Sequence, residues 1–280
     1  IMDSSKEIKE RYASEAETYR RDAWLINFDA EELFAEFRRI VRQLFPDNLA
    51  KLKILDVGAG NGMLTELILS EFPNAIVTML DFSAEMLESA QAIFETKAIP
   101  LDRINFLVKN FITDDFPDEK YDLIISSYAL HHIREIDELK SVYLKISNSL
   151  KKDGTFLCLD NYLETDEFHR NNQIKIAFEK WTENYNSEEI AKEWANIIKG
   201  EDSPATIPLI ITSLNECNKN NVNVIPFLSS KKGTMAIIYG ITKLDSKQLR
   251  EVELIDLVDE TKKYIGKEEL IDSYPFDSYL

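Results

Sequence analysis

Between residues 29 and 45 apolar side chains recur every three or four positions, at Leu33, Phe34, Phe37, Val41 and Leu44, and Pro46 follows. That period lines one face of a helix, and a proline closes it. The stretch before it, SSKEIKERYASEAETYR (4–20), reads as a polar helix. From residue 52 the pattern changes. Short unbroken apolar runs, LKILDV (52–57), AIVTMLD (75–81), INFLVK (104–109), YDLIISS (121–127) and GTFLCLD (154–160), alternate with helical stretches at 61–71, 83–96 and 136–150. Continuous apolar strands are expected where helices cover both faces of a sheet, and strict alternation with helices predicts a parallel, doubly wound α/β sheet. Ser83 is the expected N-cap of the second of these helices.

After Asp160 the alternation stops. Residues 165–200 read as mostly helical and aromatic, with Phe168, Phe178, Trp181, Tyr185 and Trp194. A helix near 206–219 and two strands, VNVIPFL (222–228) and TMAIIYGIT (234–242), follow; the strands are spaced to pair as a hairpin. The chain therefore divides into N-terminal helices (1–50), a core from 51–161 and 206–244, a helical cap (162–205) and an extension (245–280). The extension carries ten acids and five bases, with an apolar stripe at Leu249, Val252, Ile255 and Val258.

Composition narrows the partners. The net charge of the 280 residues is −17, without a block of basic residues, which disfavours nucleic acid. Cys158 and Cys217 are the only cysteines, far apart and outside any zinc spacing, as expected of reduced thiols in the cytoplasm. No run approaches the roughly 18 apolar residues of a membrane span, and no signal peptide is expected from the charged N-terminal stretch.

The chemistry begins where the first core strand ends. ILDVGAGNGM (54–63) places Gly58, Gly60 and Gly62 at the turn from strand to helix, where backbone N–H groups can approach a ligand. Asp81 ends the next strand, where an acid can accept from both hydroxyls of a ribose. A nucleoside-containing cofactor is implied. The dinucleotide fingerprint would place its third glycine at 63, and Met63 stands there, which disfavours a nicotinamide cofactor. The early carboxylate, Asp56, suits an amine-bearing group better than a pyrophosphate.

With these motifs together, the chain resembles the class I S-adenosylmethionine-dependent methyltransferases, in their small-molecule, ubiquinone/menaquinone-type branch, over about residues 8 to 244. The resemblance implies a seven-stranded, mostly parallel sheet with the last strand antiparallel. It implies that Asp56, Gly58, Ala59, Gly60, Asn61 and Gly62 wrap the methionine part of the cofactor. Asp81 then takes the ribose, with Phe82 and Met86 beside the adenine. KNFITDDFP resembles the third motif, with Asn110 in place of its acid and Phe111 supplying a backbone contact; Ser127 ends the fourth strand at the cofactor. RYASEAETYRR resembles a segment that folds over the cofactor, with Tyr12 and Tyr19 on one helical face and Arg21 toward the cofactor carboxylate.

On the acceptor side, His131, His132 and Tyr128 follow the fourth strand. Each is a candidate base or substrate-orienting group, and for each histidine a capping or packing role stays open. His169 is expected on the surface. Asp160-Asn161 resembles the magnesium ligands of catechol O-methyltransferases, but Ser126-Ser127 stands where those enzymes carry a further acid, so no metal is expected. Asp160 is expected to line the substrate cavity or cap the next segment. The implied activity is methyl transfer to oxygen, nitrogen or carbon of a small molecule, with S-adenosylhomocysteine as product. A cofactor-binding module without turnover, or less readily an enzyme acting on a protein, stays open, as does a homodimer.

Overall fold

The computed structural model describes residues 30–200, 205–216, 225–230 and 236–242. The first described helix, α1 (Ala30–Leu44), buries Leu33, Phe34, Phe37, Ile40, Val41 and Leu44, the face its periodicity predicts. Burial of each such side chain is worth about 1.5–3 kcal/mol. The polar side of α1 is also tied down: Arg38 and Arg42 both pair with the buried carboxylate of Glu71.

The alternation that follows gives β1 (Lys53–Val57), α2 (Met63–Glu71), β2 (Ile76–Asp81), α3 (Ala84–Thr96), β3 (Ile104–Val108), β4 (Tyr121–Ser127), α4 (Ile136–Ser149) and β5 (Leu150–Asn161). Ser83 caps α3 as expected, its hydroxyl accepting from the Met86 N–H. The cap is two helices, α5 (Glu167–Tyr185) and α6 (Glu188–Gly200), separated at Asn186, which takes a left-handed conformation. Then come α7 (Ile207–Glu216), β6 (Ile225–Ser230) and β7 (Ala236–Thr242).

The seven strands lie in the order β3-β2-β1-β4-β5-β7-β6. β1 to β5 are mutually parallel; β7 runs antiparallel between β5 and β6. The doubly wound sheet and its antiparallel last strand match the sequence expectation; residues 222–224 of the expected first hairpin strand lie outside the described residues. One core, with α1, α2 and α3, packs on one face; a second, with α4 and α7, packs on the other. Trp181 fills a small separate core with Ile174, Ala177, Ala191 and Ala195. The cap aromatics around it therefore stabilise the cap itself. Among the described residues, no helix is long and apolar enough to cross a membrane. The N-terminal helix at 4–20, Cys217 and the 245–280 extension lie outside the described residues.

The strand order reverses between β1 and β4. In a parallel sheet the crevice outside the carboxyl ends of these two strands is where ligands bind.

Candidate cofactor and acceptor site

The glycine turn leaves β1 at this crevice. Gly58, Gly60 and Gly62 all have positive φ, at 69°, 51° and 79°. Two are also fixed by space: a Cβ on Gly58 would lie 2.4 Å from the Ala129 Cβ, and one on Gly62 would lie 2.4 Å from the Phe94 ring. The turn is stitched to β2. The N–H groups of Gly58 and Ala59 donate to the Leu80 carbonyl at 2.8 and 3.1 Å, and Gly60 N–H donates to Asp81 Oδ2 at 2.8 Å. The other Asp81 oxygen accepts from Ser83 N–H at 2.9 Å. Burial pushes the Asp81 carboxyl up, and these backbone donors pull it back. Asp81 thus holds the turn as well as facing the crevice, a structural duty the sequence did not announce.

Asp56, at the end of β1, is 1% exposed. Its Oδ2 accepts from the Thr65 hydroxyl at 2.6 Å, and its Oδ1 is buried without a hydrogen bond. Burial raises its pKa to about 7, the Thr65 bond opposing this. Asn61, 2% exposed within the turn, likewise has a buried Nδ2 without a partner. Buried polar groups are normally satisfied, so an orphan acceptor at the end of β1 and an orphan donor on the turn that follows call for an explanation. A ligand carrying both an ammonium and a carboxylate supplies both partners. The residues present therefore fit the amino-acid end of S-adenosylmethionine.

Phe82 is half-buried, and Met86 is buried with its Cε 3.3 Å from where a Gly60 Cβ would stand. At the end of β3, Lys109 N–H donates to the Asp81 carbonyl at 2.9 Å, bringing Asn110 and Phe111 alongside. Phe111 is buried, its ring edge 3.4 Å from the Gly58 Cβ position. The Asn110 side-chain oxygen accepts from Ile112 N–H at 2.9 Å. It closes a local turn, a structural duty beside the adenine contact expected of that oxygen. Tyr19 and Arg21 lie outside the described residues.

The acceptor side follows β4. Ser127 is half-buried at the strand end, and Tyr128 is left-handed at φ 49°, a conformation costly for a residue with a Cβ and concentrated at functional sites. The Tyr128 ring lies 6.4 Å from that of Phe34 on α1. His131 is buried and bound twice to Asp160: Nδ1 lies 2.5 Å from Oδ1, and its backbone N–H donates to Oδ2 at 3.0 Å. Asn161 N–H also donates to Asp160 Oδ1. His132 stacks on His131, ring centroids 4.0 Å apart. His169 is on the surface, as expected. Asp160 is therefore the orienting partner of His131, which the sequence did not reveal because the two are 29 positions apart. Ser126 donates to the Val57 carbonyl, and among the described residues no three metal-ligating side chains form a group.

Residues 54–154 match a family model described as a methyltransferase domain. A segment of 117 residues, 42% of this chain, is 30% identical to an uncharacterized methyltransferase of Bacillus subtilis, covering 44% of that protein. Over 172 residues, 59% of this chain, identity is 28% to a malonyl-[acyl-carrier protein] O-methyltransferase of Ilyobacter polytropus, covering 60% of it. The chain thus spans about half the length of the curated relatives it matches. Among solved structures, magnesium protoporphyrin IX methyltransferase from Synechocystis with bound S-adenosylmethionine aligns at TM-score 0.59 and 13% identity, over 87% of this chain and 99% of that one. That likeness is one of fold.

Proposed function

We propose, from the methyltransferase-domain match over residues 54–154, that the chain is a class I S-adenosylmethionine-dependent methyltransferase that transfers a methyl group from S-adenosylmethionine to oxygen, nitrogen or carbon of a small-molecule acceptor. The observation that carries the reading is the pair of orphaned buried atoms, Asp56 Oδ1 at the end of β1 and Asn61 Nδ2 on the left-handed glycine turn after it, at the sheet's switch point. When bound, the cofactor supplies a methyl group on a positively charged sulfur, an electrophile that needs no further activation. The protein's work is alignment, exclusion of water and, for a protic acceptor, removal of a proton.

Asp56 takes the ammonium and Asn61 the carboxylate of the cofactor. Asp81 takes the ribose hydroxyls with the lone pairs left by Gly60 and Ser83 N–H. Phe82, Met86, Asn110 and Phe111 border the adenine. On the acceptor side His131 is the candidate base. Asp160 at its Nδ1 fixes the ring's orientation and steadies the positive charge it gains on accepting a proton. His132 and Tyr128 flank it. The −17 net charge supports a free small molecule over a nucleic-acid acceptor. The buried thiol of Cys158 supports a reducing, cytoplasmic setting.

The test is incubation with methyl-labelled S-adenosylmethionine and a fractionated cell extract, read by mass spectrometry. Label entering a low-molecular-mass fraction supports the reading. Tight binding of S-adenosylhomocysteine without label entering any fraction would leave a non-catalytic cofactor-binding protein. Label entering protein only would overturn the small-molecule acceptor.

A further inference from the structure

The turn after β3 is reached from outside by one lysine, the polar tie beside its apolar packing. Lys145, on α4 and half-buried, points its ammonium at three backbone carbonyls of that turn. Nζ lies 2.7 Å from Ile112 O, 2.8 Å from Asp114 O and 3.4 Å from Phe111 O. It also sits 6.0 Å over the Phe116 ring. Among the described residues it pairs with no carboxylate, so its charge is spent on those carbonyls. The turn's own bonds are local: Asp114 N–H donates to Asn110 O, Asn110 N–H to Asp114 Oδ2, and Ile112 N–H to Asn110 Oδ1. They fix its shape; Phe111, Ile112 and Phe116, packed in the second core, seat it against the sheet. The tie to α4 comes from Lys145, more than thirty positions further along the chain.

The position of this turn matters because of what it carries. Phe111 is buried with its ring edge 3.4 Å from the Gly58 Cβ position, and Asn110 directly follows the segment that binds the Asp81 carbonyl. Three convergent carbonyls form a cation-shaped nest, and a charge-assisted donor is the group that holds such a nest together. A neutral side chain at 145 leaves the three dipoles facing each other, and the turn relaxes away from the glycine turn.

We infer that Lys145 is a positioning residue for the cofactor: through the 110–114 turn it sets affinity for the adenosine half and leaves the amino-acid half unaffected. The inference rests on the functional reading above, with Asn110 and Phe111 at the adenine.

The experiment measures binding of two probes by titration calorimetry, S-adenosylhomocysteine and methylthioadenosine, which shares the adenosine and lacks the amino acid. The proteins are wild type, Lys145→Met, Lys145→Gln and Asp56→Asn, all below their melting temperatures. Lys145→Met is expected to weaken both probes by the same factor, about tenfold, and Lys145→Gln, which still donates to one carbonyl, by less. Asp56→Asn is expected to weaken S-adenosylhomocysteine alone. If Lys145→Met does not fold, Lys145→Gln is read by the same criterion. Unchanged dissociation constants, with or without a lower melting temperature, would reduce Lys145 to a stability residue and overturn the inference. A loss confined to S-adenosylhomocysteine would overturn it too. Failure of the wild type to bind either probe would instead remove the functional reading itself.

Discussion

The most quantitative consequence concerns Asp56. Burial raises its pKa to about 7, so in the free protein near neutral pH it is protonated in about half the molecules. An ammonium at its orphaned oxygen requires the carboxylate form, and the pair drives its pKa down on binding. Affinity then scales with the ionised fraction in the free protein. That fraction is about 3% at pH ~5.5 and about 76% at pH ~7.5 for a pKa near 7, so the dissociation constant should rise roughly 25-fold, or about 1.9 kcal/mol, over this drop. The cofactor's amine stays largely protonated throughout. The sign is specific: binding weakens as pH falls, and proton release accompanies binding near neutrality. The stability of the free protein runs the other way. A raised Asp pKa means the folded state holds the proton longer than the unfolded one, so this residue's contribution is lost as pH rises from about 4 to about 7. The assay is titration calorimetry with S-adenosylhomocysteine in buffers of differing ionisation enthalpy, on wild type and Asp56→Asn. A flat pH dependence in the wild type, or the same dependence in Asp56→Asn, would refute the assignment.

Two further outcomes follow from the geometry. Gly58→Ala adds a Cβ 2.4 Å from that of Ala129 at a φ of +69°; it should cost about 2–4 kcal/mol in urea unfolding and abolish cofactor binding, since the turn and the 128–132 segment cannot both keep their places. With an acceptor in hand, His131→Gln should lower kcat by about 10²–10³ with little change in cofactor affinity, while Asp160→Asn should lower it less; equal kcat in all three proteins would return His131 to a packing role.

Much of this arrangement was legible from the chain. The unbroken apolar strands exist because both faces of the sheet are covered, and those runs gave β1 to β5 to within a few residues. The glycines at 58, 60 and 62 take left-handed conformations that other residues adopt only at a cost, so their spacing announced the turn. What stayed hidden depends on pairs distant in sequence. Asp160 and His131 meet only because β4 and β5 are neighbours; read alone, the first suits a cavity liner or a cap of the next segment, and the second a base, a substrate-orienting group or a packing residue. Thr65 as the hydroxyl donor to Asp56 was concealed by the helix it begins, where it reads as an ordinary polar residue. Lys145 reads as a surface lysine until the turn after β3 is placed beside it. The cap aromatics were ambiguous for a different reason: an aromatic side chain at helical spacing looks the same whether it encloses a ligand or, like Trp181, fills a helix-pair core.

The most direct test of the central claim is titration of purified protein with S-adenosylhomocysteine, wild type against Asp81→Ala. Asp81 accepts from Gly60 and Ser83 N–H and, in the proposed reading, takes the ribose hydroxyls. Its loss should therefore weaken binding by about 1.5–3 kcal/mol, roughly 10- to 150-fold, with the variant still folded. Absence of binding to folded wild-type protein, or binding that Asp81→Ala leaves unchanged, would contradict the account.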